Sequence, residues 1–173
     1  MITAKRSLAA EFGHLMGFFG TYLFDGTRWL THKGDKPPAI PGPWLMLDIY
    51  DSDLATVVYS PAGRGSGVAY LGFTPRTYFE DEAASPPTDV EREAKGLADW
   101  WRERRGGADK IAHAAKEDEL AIYLAEDQDL AEIEFDEDED VDDLDDGEIL
   151  VEIKAARFLT ALGLPVPEEL SDR

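Results

Sequence analysis

Between Glu126 and Glu148 the chain carries fifteen carboxylates and no lysine or arginine. Carboxylates at this density repel one another and stay hydrated unless they meet a cation or a cationic surface. The densest part is Asp136-Glu-Asp-Glu-Asp-Val-Asp-Asp-Leu-Asp-Asp-Gly-Glu148. It can be laid on a calcium loop if Gly147 takes the turn position that requires glycine. The loop then begins at Asp142, and Ile149 suits its apolar position. Two ligands fail, because Leu144 holds the third position and Ile153 the place of the closing bidentate acid. Such a stretch suits weak, multi-site binding of Ca²⁺ or Mg²⁺, not a dedicated cage. The plainer expectation is a flexible, solvated acidic insertion.

A second stretch has the spacing of zinc chemistry. Ala10-Glu-Phe-Gly-His-Leu-Met-Gly-Phe-Phe-Gly20 resembles the metzincin pattern His-Glu-x-x-His-x-x-Gly-x-x-His, in which histidines hold zinc and the glutamate activates water. Glu11, His14 and Gly17 match, but Ala10 and Gly20 replace the outer two histidines. One histidine cannot hold the metal, so the protease reading fails. With no cysteine in the chain, thiolate catalysis, disulfides and Cys-ligated zinc are excluded as well. Gly63-Arg-Gly-Ser-Gly67 has the look of a phosphate loop. It leads into the strand-like Val68-Ala-Tyr-Leu, whereas a phosphate loop opens a helix. A flexible hairpin connection is the expectation there.

Trp100-Trp101-Arg102-Glu-Arg-Arg105 is the remaining candidate. Neighbouring helical side chains diverge by about 100°. Two adjacent tryptophans are both covered only if the helix itself is covered on several sides. The structural reading puts one in the core and packs the other on the acidic linker or the C-terminal helix. The functional reading is an aromatic and arginine anchor for a partner, formed by Trp100, Trp101, Arg102 and Arg105. The same arginines, with Arg104, could instead receive the acidic run within the chain.

These stretches must sit on a scaffold. Of a formal net charge of −20, the acidic run supplies −15, so the rest carries −5, like an ordinary globular domain. With a pI near 4.3, contact with DNA, RNA or anionic lipid is disfavoured. The apolar stretch Leu15 to Phe24 is interrupted on its N-terminal side and too short to span a bilayer, and no signal-cleavage pattern follows Lys5 and Arg6. A cytoplasmic location is expected.

Residues 1–80 read as β-rich. Asp25-Gly26 between two apolar runs predicts a hairpin with a type I′ turn. The prolines of Lys33 to Pro43 forbid a central strand. Trp44 to Tyr50 alternates as a strand should, and Leu54 to Tyr59 and Val68 to Phe73 predict two more. Beyond the linker 80–88, Thr88 with Glu91 predicts a capping box and a helix to about Arg105, stopped by Gly106-Gly107. Further helices are predicted over about 109–125 and 148–162, with Gly163 and Pro165 ending the last.

The expected fold is therefore α+β in one domain. An antiparallel meander of four or five strands over residues 18–80 is covered by about three helices. These comprise a helical segment at 88–125 and a last helix at 149–163, on either side of the acidic insertion at 126–148. The expected activity is binding without cofactor or metal. A basic protein surface would be met by Trp100, Trp101, Arg102 and Arg105 and by Asp136, Asp138, Asp140, Asp142 and Asp143. An immunity- or antitoxin-like inhibitor and a nucleic-acid mimic are two forms of that expectation. The alternative is an enzyme whose pocket assembles in three dimensions around Asp48, Tyr50, Arg64 and Tyr70. A deep polar pocket beside the sheet would favour the enzyme, and a flat aromatic patch in acidic surroundings the binder.

Overall fold

A computed structural model describes residues 17–34, 36–128 and 150–171. Five antiparallel strands form one sheet: β1 (Gly20–Phe24), β2 (Trp29–Thr31), β3 (Trp44–Tyr50), β4 (Leu54–Ser60) and β5 (Val68–Gly72). The order is β2-β1-β3-β4-β5, so chain order is kept except that β1, not β2, lies beside β3. The Pro-rich connection at 33–43 carries the chain back to make that step. Among the described residues five helices follow: α1 (Pro75–Tyr78), α2 (Val90–Arg104), α3 (Lys110–Ala121), α4 (Val151–Ala161) and α5 (Glu168–Ser171). The α+β class and the antiparallel sheet agree with the sequence expectation. Among the described residues, no helix is long and apolar enough to cross a membrane.

Strand alternation decides which side of the sheet holds the core. Leu45, Leu47 and Ile49 of β3 face Tyr59, Val57 and Ala55 of β4 across the ladder, and all six are buried. Their face packs against Leu97, Trp100 and Trp101 of α2, Leu120 of α3, and Ala155, Phe158 and Leu159 of α4. Leu23, Trp44 and Met46 form a smaller buried cluster on the other face. The C-terminal tail closes over β1 and β2. There the Trp29 indole donates to the Pro165 carbonyl and the Tyr22 hydroxyl donates to Glu169.

Several boundaries differ from the sequence reading, each for a local reason. The first hairpin turns through four residues, 25–28, not through a two-residue type I′ turn. The Asp25 carboxylate accepts from the backbone N–H of Thr27 and Arg28, and Asp25 N–H donates to the Arg28 carbonyl at 3.1 Å, so side chain and backbone close the turn together. The cap of α2 is Asp89, whose carboxylate accepts from Arg92 N–H; Thr88 is drawn away by Asp127. Helix α3 stops at Ala121, because Leu124 and Ala125 turn back to the sheet and Ala125 N–H donates to the Tyr70 carbonyl at 2.8 Å. Helix α4 is described from Val151 to Ala161. The short helices α1 and α5 were not expected, since four residues hold too little periodicity to read.

The connection between β4 and β5 is not the loose hairpin that its glycines suggest. Arg64 forms a forked pair with Asp99 of α2, and Glu93 accepts from the Ser66 backbone and hydroxyl and from the Tyr59 hydroxyl. Glycine is required for this clamp, because a Cβ on Gly96 would lie 2.6 Å from the Gly65 Cα.

Candidate docking surface

The β3–β4 turn is built from two residues in the left-handed region, Asp51 at φ 53° and Ser52 at φ 57°, with Asp53 N–H donating to the Tyr50 carbonyl. This is the type I′ geometry, and it leaves Tyr50 projecting at the end of β3. Nearby, Thr74 caps α1 by accepting from Thr77 N–H, and Pro75 supplies the pre-set φ of a first helical turn. One turn later α1 delivers Tyr78 and Phe79 side by side. Glu80, at φ 52°, then ends the helix.

These elements bring four aromatic rings together. Phe19 meets Tyr50 edge-to-face with centroids 5.2 Å apart. Tyr50 meets Tyr78 at 5.8 Å and Phe79 at 5.9 Å, and Tyr78 meets Phe79 at 4.9 Å. Edge-to-face rings stabilise one another beyond simple area burial. Yet Phe19 is 59% exposed, Tyr50 42% and Phe79 51%. Three of the six large exposed hydrophobic residues among those described thus lie in one patch, where scattered placement would be the norm.

The rim of the patch is acidic. The Tyr78 hydroxyl donates to Asp51 at 3.0 Å. Burial, reinforced by this bond to a carboxylate, pushes the Tyr78 phenol well above its ordinary value, so it remains a neutral donor. Exposed Glu80, Asp81 and Glu82 follow Phe79 directly, and Asp48 lies two residues before Tyr50 on the same sheet face, accepting from Thr21.

The described residues on either side of the rest of the acidic run, Asp127 with Gln128 and Val151, are bonded beside this patch. At the exit, Asp127 accepts from the Thr74 hydroxyl and from Thr88 N–H, and Gln128 N–H donates to the Thr77 hydroxyl, one residue before Tyr78. Burial opposes ionisation of Asp127, but hydrogen bonds from Thr88 and Thr74 outweigh it and lower its pKa. At the return, Val151 N–H donates to the Ser52 carbonyl at 3.0 Å. Ser52 also accepts from Phe18 N–H and donates to the buried Glu152 carboxylate, so one serine fixes the strand lead-in beside Phe19, the turn beside Tyr50 and the start of α4.

The residues singled out from the sequence are placed differently. Trp100 is fully buried, its indole N–H shared between the carbonyls of Trp44 and Ser60 at 3.1 Å each. Trp101 is only 7% exposed and carries Arg105 and Lys116 over its ring. The outward-facing tryptophan needed for an aromatic anchor is therefore absent from α2, because the sheet covers one side of the helix and α3 another. Arg102 stays at the surface, 3.7 Å from Asp99, and Arg104 stacks over Phe24. Asp136, Asp138, Asp140, Asp142 and Asp143 lie outside the described residues, as do Glu11 and His14 and most of the Asp142 to Ile153 loop.

The alternative set does not converge. Asp48 and Tyr70 share one row of the sheet through Thr56, but Arg64 is engaged by Asp99 and Glu117 in the β4–β5 clamp. His113 joins that clamp, with Nε2 2.9 Å from Asp99. A cleft of about 220 Å³ lies along the outer edge of β5, walled by Val68, Ala69, Pro86, Pro87, Val90 and Leu124, with Tyr70, Asp89, Arg92 and Glu93 also lining it. Of its two carboxylates, Asp89 caps α2, and Glu93 is already satisfied by Ser66, Tyr59 and Arg92, whose hydrogen bonds outweigh burial and hold its pKa low. Among the described residues, no three His, Asp or Glu side chains gather as a metal site would require.

The aromatic patch was missed because its members are far apart in sequence. A partial signal exists in Thr74-Pro-Arg-Thr-Tyr-Phe-Glu-Asp-Glu82. A capping threonine and a proline announce a helical turn, and two aromatics directly before three acids mark a surface where apolar and charged groups adjoin. Comparison with protein-family models, curated proteins and solved structures gave no match to this chain.

Proposed function

We propose that this protein is an acidic binding protein that docks a basic protein surface on the patch formed by Phe19, Tyr50, Tyr78 and Phe79. The observation that carries this reading is the exposed aromatic cluster set in an acidic rim, with Gln128 and Val151, which flank the rest of the acidic run, bonded beside it. Interfaces take most of their affinity from a few aromatic anchors, while surrounding charge speeds encounter and selects the sign of the partner. The carboxylates of the run, Asp136 to Asp143 among them, contribute by charge alone in this reading. The work is done in the cytoplasm and needs neither cofactor nor metal.

An inhibitor of the immunity or antitoxin kind is the more concrete form, because such a protein must cover a basic active surface and hold it. A nucleic-acid mimic would rely on spaced charge and has less need of three exposed rings. The enzymatic alternative has less support, since the cleft beside β5 exposes mainly apolar surface and both of its carboxylates, Asp89 and Glu93, are already engaged.

The test is retention of a basic protein partner by the full chain and by the double variant Tyr50→Ala, Phe79→Ala. Both substitutions fall on exposed rings and leave the buried core intact. The double variant should lose the partner at moderate salt, while Ile111→Ala, on a still more exposed apolar residue of α3, should keep it. Equal retention by all three proteins would exclude the patch as the docking site.

A further inference from the structure

We infer that the basic surface docked here presents arginine to the aromatic patch in preference to lysine. This rests on the docking reading above and adds the chemistry of the contact. The patch offers two kinds of group side by side. Tyr50 and Phe79 supply exposed rings, and Glu80, Asp81 and Glu82, which follow Phe79 in the chain, supply exposed carboxylates. A guanidinium can use both at once. Its flat face lies on a ring, and its N–H groups point outward in the same plane, toward carboxylates at the ring's edge. A lysine ammonium is a strongly hydrated point charge with no flat face. To approach a ring it must give up water, and it cannot fork to a carboxylate while doing so.

Among the described residues, both kinds of cation lie over rings, but in different settings. Arg105 lies 4.7 Å over Trp101 and Arg104 5.1 Å over Phe24. Lys116 also reaches Trp101, at 5.0 Å, but its ammonium is held there by Glu119 and by the Ala161 carbonyl in a mostly buried setting. On an exposed patch without such a cage, the planar cation has the advantage.

The experiment is calorimetric titration of the full chain with two synthetic peptides of equal length and charge, one of alternating arginine and glycine and one of alternating lysine and glycine. The arginine peptide should bind roughly three- to tenfold more tightly, as expected for one or two added cation–ring contacts at an exposed site. In the variant Tyr50→Leu, Phe79→Leu, which keeps apolar bulk and all the charge, that ratio should fall to about one while the lysine peptide's affinity changes little. Equal binding of the two peptides by the unaltered protein would overturn the inference and leave the docking reading in place. A preference that survives in the leucine variant would overturn it too, by assigning the preference to the acidic residues alone. Failure of both peptides to bind would overturn the docking reading and the inference with it.

Discussion

Val151 N–H donates to the Ser52 carbonyl at 3.0 Å, and through this bond the chain returns from its acidic run onto the turn that carries Tyr50. At the exit, Gln128 N–H donates to Thr77 beside Tyr78 in the same way. Gln128 and Val151, which flank the undescribed stretch, are thus both bonded beside one aromatic surface.

The tie at the exit should be measurable as stability. Asp127 is a member of the acidic run by composition but a structural residue by its bonds. Its carboxylate joins Thr74 and Thr88, and its own N–H donates to the Thr88 hydroxyl. Asp127→Ala would leave the Thr88 amide and the buried Thr74 hydroxyl without this acceptor, and should lower stability by about 1–3 kcal/mol in urea denaturation. Replacing residues 136–146 by a Gly/Ser linker removes more charge but none of these bonds. It should leave the thermal midpoint within a few degrees at moderate salt. A cooperative loss of structure in the linker variant would show that the run is part of the fold.

Trp100 should behave as a core residue and not as an anchor. Its side chain is fully buried between the sheet and α2, with its N–H bonded to two strand carbonyls. Trp100→Ala should cost about 3–5 kcal/mol through the cavity and the two carbonyls left without their donor. Thermal denaturation followed by circular dichroism would read this. Stability unchanged from the parent protein would mean that Trp100 does not hold the core.

Acid should unfold the protein through the carboxylates that clamp the β4–β5 connection. Burial opposes ionisation of Glu93 and Asp99. It is outweighed by hydrogen bonds from Ser66, Arg92 and Tyr59 to Glu93, and from Arg64 and His113 to Asp99, so both pKa values are lowered on folding. A lowered carboxylate pKa contributes stability that is fully present above the unfolded value and is lost as pH falls through the folded one. Stability should therefore be level near neutral pH and decline below about pH 4.5, where carboxylates of the unfolded chain begin to bind protons. Glu93→Gln should weaken the protein near neutral pH and flatten that decline. A decline in the variant as steep as in the parent would assign acid sensitivity to other groups.

How much of this was legible beforehand follows from the range of each interaction. β3 was readable because Leu45, Leu47 and Ile49 alternate within seven residues, and α2 because its acids precede its bases and two glycines end it. The cap of α2 was misplaced by one residue because Thr88 and Asp89 are both good caps. The choice between them is made by Asp127, thirty-nine positions away from Thr88. The burial of both tryptophans likewise depends on α3 and the sheet covering α2 together, which no pattern within α2 records. The docking surface depends on Phe19, Tyr50 and Phe79 meeting, and only the fold brings them together.

Kinetics should separate the two parts of the docking surface. Long-range attraction between the acidic run and a basic partner acts before contact and is screened over roughly 8 Å at physiological ionic strength. Removing charge from Asp136 to Asp146 should therefore slow association and flatten its dependence on salt, with little change in dissociation. The aromatic rings act only after contact, so Tyr50→Ala and Phe79→Ala should each speed dissociation several-fold, corresponding to about 1–2 kcal/mol for a partly exposed anchor, with association almost unchanged. Trp101→Ala should alter neither rate in protein that remains folded, because Trp101 is covered by Arg105 and Lys116. Surface-plasmon measurements with one basic partner, at low and then moderate salt, would read all these variants together. Faster dissociation on Trp101→Ala with no change on Tyr50→Ala would move the anchor back to α2 and reject the patch.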